Sequence, residues 1–347
     1  MPSNEPGMST PGQETAASIG LQYVTDSAPG ISRRKTSKGF VFRYPDGRTV
    51  KNSADLARIR KLAIPPAYEQ VWICLDPRGH LQATGVDARG RKQYRYHEEF
   101  RAAQEELKFH RMREFGRALP SIREKVEHDL LQHGLPKTKV LAAVVYLLEH
   151  SLVRIGNQQY ARENHSYGLT TMRSRHVKVQ GANVRLHFVG KSRILHDIEV
   201  HDRRLATVIK KLQDLPGQDL FQYSDGQGSL DTVTSADVNA YLHAISGEHF
   251  TAKDFRTWSG SVLALVHFAE QEPPATPTAA KHAIMDAMKS VSKQLGNTPA
   301  ICRKCYVHPS VFRAFQDCAL SEALCPDQAE AALLELLASE EEFKTHC

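Results

Sequence analysis

The chain has 347 residues, 41% hydrophobic and 24% charged, with a net charge of +6. That length exceeds one ordinary core and predicts two domains in a soluble globular protein, while no apolar run reaches the roughly 18 residues of a membrane span. The first 18 residues hold neither Lys or Arg nor an apolar stretch. They exclude a signal peptide, are expected to form a disordered polar tail, and leave the six cysteines as thiols in a reducing, cytoplasmic setting.

From residue 19 to 97 the pattern is strand-like. GFVFRYP leads into an Asp46-Gly47 turn, and VWICLD and LQATGVDA follow, with one short helix near Ser53 to Leu62 capped by Ser53. From Glu98 the spacing turns helical. It predicts helices over Glu98 to Arg117, Pro120 to Leu131, and from Pro136 through Leu152. A strand-rich island follows (HVKVQ, GANVRLHFVGK, SRILHDIEV). Helices return at Asp202 to Gln213, Ser235 to Ile245, Thr251 to Glu270 and Pro277 to Leu295. Thr251 with Asp254 forms a capping-box pattern. A last helix follows Pro326. The expected fold class is α+β: a small β-rich domain (19–97), a larger, mainly α domain with one small antiparallel sheet (98–326), and a C-terminal helix with an acidic tail (327–347).

The basic clusters, such as Arg89 to Arg95, permit a polyanionic partner without proving one, since a charge run is usually a solvated face. Cys302 and Cys305 form C-x2-C, with Cys318 and Cys325 following. Four thiolates can hold structural zinc, but six residues separate the second pair, which favours plain thiols. The 17 histidines show no metal-ligand spacing.

Five separated segments carry chemistry: LVRIGN with Arg154, FVGK with Lys191, KDFRTW with Lys253 and Arg256, LGNTP with Asn297, and RKCY with Tyr306. Singly, each is ordinary. In this order they resemble the active site of type IB DNA topoisomerases, particularly the small poxvirus and bacterial branch. The resemblance extends to IPPAYEQVWICLD (Ile64 to Asp76), GRKQYRYH (Gly90 to His97) and NHSYGLTTMRSRHV (Asn164 to Val177), and runs from about Leu21 to Phe315.

The resemblance implies a nick of one strand of double-stranded DNA by Tyr306 through a 3′-phosphotyrosyl ester, rotation, and resealing. Supercoils of both signs would relax without ATP, metal or any other cofactor. Arg154 and Arg256 match the arginines that bind the phosphate; planar guanidinium forks suit its oxygens. Lys191 matches the general acid for the leaving 5′ oxygen, with Gly190 expected to allow a tight turn. Asn297 stands where viral and eukaryotic enzymes carry His; it can donate an N–H but cannot become cationic. In the N-terminal domain, expected to act as a DNA clamp, Gln93, Tyr94 and Tyr96 match DNA contacts. Arg91 and Lys92 adjoin them, and Lys253 matches a contact near the active site. The branch implies a monomer, a bacterial source and a nucleoid location, with no membrane partner.

Two other readings stay open. A tyrosine recombinase shares the Arg, Lys, Arg and Tyr logic, but usually places His three residues before the second Arg, where this chain has Lys253. A zinc-containing DNA-binding module would use the cysteines and leave the ordered set unexplained.

Overall fold

A computed structural model describes residues 11–37, 39–224, 229–320 and 326–345, without the side chains of residues 11, 326–327 and 340–345. Two compact units divide the chain at Lys108 and Phe109. The first opens with helix α1 (Pro11–Ser18). This segment fell within the expected disordered tail; its helix forms because Ala16 buries against Leu21 and Phe100. Residues 1–10 of that tail lie outside the described residues. Strands β1 (Ile31–Thr36) and β2 (Gly39–Arg43) pair as a hairpin, followed by α2 (Ser53–Lys61), β3 (Glu69–Ile73), β4 (Leu81–Val86) and β5 (Lys92–Tyr96). The five strands make one antiparallel sheet in the order β2-β1-β3-β4-β5. Its core is Ile31, Val50, Ile59, Val71, Ile73 and Ala83. The cap of α2 is Asn52, not Ser53: the Asn52 amide oxygen accepts from the N–H groups of Ala54 and Asp55.

Helix α3 (Glu98–Leu130) is continuous through Pro120, where a break was expected. Proline removes one helical hydrogen bond, but Phe115, Leu119, Ile122, Val126 and Leu130 place one buried stripe along both halves. That shared burial outweighs the lost bond. The second unit continues with α4 (Lys137–Ser151), α5 (Gln158–Asn164), and a three-stranded antiparallel sheet of β6 (Val177–Gln180), β7 (Asn183–Val189) and β8 (Leu195–His201). Then come α6 (Arg203–Gln213), the small hairpin β9 (Gln222–Ser224) and β10 (Leu230–Thr232), α7 (Ser235–Ser246), α8 (Ala252–Ala269) and α9 (Pro277–Leu295). Two short helices, α10 (Pro299–Cys305) and α11 (Pro309–Gln316), precede α12 (Pro326–Thr345).

Helix α4 is the centre of this unit, with nearly every residue from Val140 to Leu148 buried. It ends at Leu152, whose left-handed backbone (φ 55°) turns the chain toward Arg154. The capping box of α8 is present: Thr251 Oγ1 and the Thr251 N–H both bond Asp254 Oδ2. It fixes where α8 starts, and hence where Arg256 points.

Candidate active site

Arg256 lies on the buried face of α8, 3% exposed. Its guanidinium donates to the carbonyl oxygens of Leu152 and, at 2.6 Å, Leu295. These carbonyls end α4 and α9, where helices leave oxygens unpaired. Leu152 stands two residues before Arg154 and Leu295 two before Asn297. One side chain therefore ties together the two chain turns that carry the next two candidates.

Helix α9 ends at Gly296 in a left-handed conformation (φ 58°) that suits glycine. Immediately after it, the amide oxygen of Asn297 accepts from Arg154, which also reaches Gly296 O at 3.4 Å. The Arg154 main chain is pinned in turn: its carbonyl accepts from the Leu169 N–H at 2.9 Å, and Ile155 O from Thr170 N–H at 2.7 Å. The NHSYGLTT segment thus acts as a backing for the arginine.

Tyr306 closes α10, and its ring lies against the guanidinium of Arg256, 5.1 Å from carbon to ring centroid. The loop is seated on α8. A side chain at Gly260 would meet Tyr306 O at 2.6 Å, and Ser261 Oγ donates to Tyr306 O and accepts from the His308 N–H at 2.9 Å.

Lys191 follows β7 in the turn to β8 and is exposed. The turn is closed by Gly190 N–H to Ile194 O at 2.8 Å. The expectation for Gly190 needs correcting: its φ is −94°, and the positive φ values fall on Ser192 and Arg193. Glycine is required there for space, because a Cβ would stand 2.7 Å from the ring of His196. Lys253 is exposed one turn before Arg256 on α8.

Electrostatics give this cluster its character. Among the described residues, no carboxylate forms an ion pair with Arg154 or Arg256. Burial depresses the Arg256 pKa, and Arg154 depresses it further, while Tyr306 acts in the opposite sense. Buried cations are ordinarily paired. Of three buried side-chain polar atoms without a hydrogen bond among the described residues, two are here: Arg256 Nε and Asn297 Nδ2. Both are donors. The arrangement fits a compact anion such as a phosphodiester.

On β5, alternation places Lys92, Tyr94 and Tyr96 on one face and Gln93 on the other. Tyr94 and Tyr96 are exposed and stack with centroids 6.1 Å apart. Lys92 pairs with Asp26 at 2.5 Å. Arg91 and Gln93 both bond Asp87, whose pKa Arg91 brings down to about 2. The two tyrosines keep exposed ring surface, although Lys92 lies over Tyr94 and Tyr96 packs on His80 and Phe100, while the other three are engaged in hydrogen bonds or an ion pair with carboxylates. These five residues belong to the first unit and the preceding cluster to the second.

Cys302 is buried beneath the cluster, with its thiol pKa pushed up to about 11 by burial. Among the described residues, no group of three His, Cys, Asp or Glu could hold a metal; Cys325 lies outside them. The sequence reading missed His196. Its signal was an imidazole in the inward row Ile194, His196, Ile198 and Val200, where alternation calls for an apolar side chain.

Two family models match the chain: "Eukaryotic DNA topoisomerase I, catalytic core" over residues 97–323, and "Bacterial DNA topoisomerase IB, N-terminal domain" over residues 39–87. DNA topoisomerase 1B of Acanthamoeba polyphaga mimivirus is 33% identical over 295 residues, 83% of this chain and 88% of the relative. DNA topoisomerase 1B of Vaccinia virus (strain Copenhagen) is 23% identical over 72% of this chain and 76% of its own. DNA topoisomerase 1 of Rabbit fibroma virus (strain Kasza) is 26% identical over 70% and 74%. No described helix is long and apolar enough to cross a membrane.

Proposed function

The chain belongs to the type IB DNA topoisomerase family, and on that premise we propose that Tyr306 makes a reversible nick in duplex DNA through a 3′-phosphotyrosyl intermediate. The observation that carries this reading is the Tyr306 ring lying against Arg256, in a cluster of donors with which, among the described residues, no carboxylate forms an ion pair.

The chemistry follows from those groups. The Tyr306 phenol gives up its proton to solvent water as its oxygen attacks phosphorus, and a P–O bond forms as the bond to the 5′ oxygen breaks. Negative charge gathers on the non-bridging oxygens, where Arg154, Arg256 and the Asn297 Nδ2 donor offer preorganised hydrogen bonds. Lys191 delivers a proton to the leaving 5′ oxygen. The ester conserves the energy of the broken bond, so the reverse attack by the 5′ hydroxyl reseals the strand without ATP. Three cations supply the charge, and the steps call for no metal or cofactor. Torsion in the DNA drives rotation, so supercoils of either sign relax.

Tyr94, Tyr96 and Lys253 contact the duplex, with Arg91, Lys92 and Gln93 exchanging their present partners for DNA groups. Such contacts make binding salt-sensitive. In this reading the protein works as a monomer on chromosomal DNA in the cytoplasm. Denaturant quenching of a reaction with nicked-site duplex, followed by peptide mapping, tests the chemistry. The expected adduct is the Tyr306 peptide on a 3′ phosphate. An adduct on a 5′ phosphate, or on another residue, would overturn it.

A further inference from the structure

We infer that His196 is a positioning residue that holds the Lys191 turn in register with the Arg154–Asn297 side of the pocket; the inference rests on the reading of Lys191 as the general acid. His196 pairs directly with Phe188 across β7 and β8, and the two rings stack 4.9 Å apart at 12°. The imidazole is wedged between two glycines. A Cβ on Gly190 would meet its Cδ2 and Nε2 at 2.7 Å, and a Cβ on Gly296 would meet its Cε1 at 2.7 Å. Gly190 immediately precedes Lys191, and Gly296 immediately precedes Asn297. The ring is thus a flat spacer between the hairpin that carries the acid and the helix end that carries the donor.

Lys191 is an exposed turn residue, so its position depends largely on the main chain that carries it. Proton delivery falls off steeply with misplacement, and an error of about 1 Å can cost on the order of 100-fold. The stacked ring supplies a constraint through the main chain at Gly190. Burial, then Arg154 and Arg256, depress the His196 pKa, so the ring is held neutral beside the cations. A planar apolar ring can fill the same role.

The test is single-turnover cleavage of two duplexes, one with the ordinary 5′ oxygen and one with sulfur at the bridging position, a leaving group that needs no proton. His196→Ala is expected to cleave the oxygen duplex on the order of 10- to 100-fold more slowly and the sulfur duplex at close to the wild-type rate. His196→Phe is expected to restore most of the oxygen rate. Equal loss on both duplexes, full activity of His196→Ala, or failure of His196→Phe to restore the rate would each overturn the positioning role. Lys191→Ala, run alongside, separates the two readings: if sulfur does not rescue it, the assignment of Lys191 falls, whatever His196 does.

Discussion

The amide oxygen of Asn297 accepts a hydrogen bond from the guanidinium of Arg154. This fixes the orientation of the amide and leaves Nδ2 as a buried N–H with no hydrogen-bond partner among the described residues. The unused end is a donor, which is what a phosphate oxygen requires.

Asn297→Asp separates the two ends of that amide. It keeps the acceptor for Arg154 but removes the donor and adds a negative charge toward the phosphate. Single-turnover cleavage should fall on the order of 1000-fold, and Asn297→Ala, which removes the donor without adding charge, should fall less, by about 100-fold. Unchanged cleavage in either variant would show that Asn297 does not donate to the phosphate.

Arg256 has a second task besides binding charge, since it bonds the carbonyl oxygens of Leu152 and Leu295. Arg256→Lys keeps the charge, but one ammonium cannot reproduce the fork that spans two helix ends. Leaving a buried carbonyl unpaired costs about 1–3 kcal/mol. The lysine variant should melt several degrees lower and cleave on the order of 100-fold more slowly. A variant with wild-type Tm would show that the helix ends do not depend on this side chain.

His176 is buried, and its pKa is brought down to about 4, by burial first and then by Arg175, Arg173 and His187. The folded state holds it neutral, while the unfolded chain protonates near the usual histidine value of about 6.5. The unfolded state therefore binds more protons between those values, and stability falls as pH drops through that window. The loss approaches about 3 kcal/mol at pH 4. Denaturant titrations at pH 7.5, 6 and 5 should show a shallower decline in His176→Gln than in wild type. Parallel declines would assign the pH dependence elsewhere.

Helix α12 buries Ala329, Leu333 and Leu337 in the core of the second unit, and a carboxylate adds a polar link. Glu330 accepts from Arg123 at 2.8 and 2.9 Å and from the Trp258 indole at 3.0 Å. Trp258 stands two residues after Arg256 on α8. Glu330→Gln should lower stability by about 1–3 kcal/mol, discounted for the partial exposure of Arg123, with cleavage chemistry little changed. An unchanged Tm would show that this link does not fasten the C-terminal helix.

How much was legible from sequence depended on the range of the cause. Local signals read well: the Thr251–Asp254 capping box, the Asp46-Gly47 turn, and the alternating strands around Gly181 follow from neighbours within a few residues. The candidate residues could be picked out because five short segments keep the order of the family they resemble, and the structure brings Arg154, Arg256, Asn297 and Tyr306 together. What sequence could not display is the tertiary reason for each. Pro120 is tolerated because burial on both sides of it is continuous. Gly190 is needed for the His196 ring, not for its own backbone angle. The two carbonyls that Arg256 spans lie 104 and 39 residues from it along the chain. Short helices such as α10 and α11 have too few turns for a periodic signal, so the seat of Tyr306 was invisible before the fold.

The most direct measurement is relaxation of negatively supercoiled plasmid in EDTA without ATP, comparing wild type with Tyr306→Phe. The ring of phenylalanine preserves the contact with Arg256 and removes only the attacking oxygen. Relaxation by the wild type and none by the variant is the expected result. Relaxation by both proteins, or by neither, would contradict a tyrosine-centred nicking mechanism.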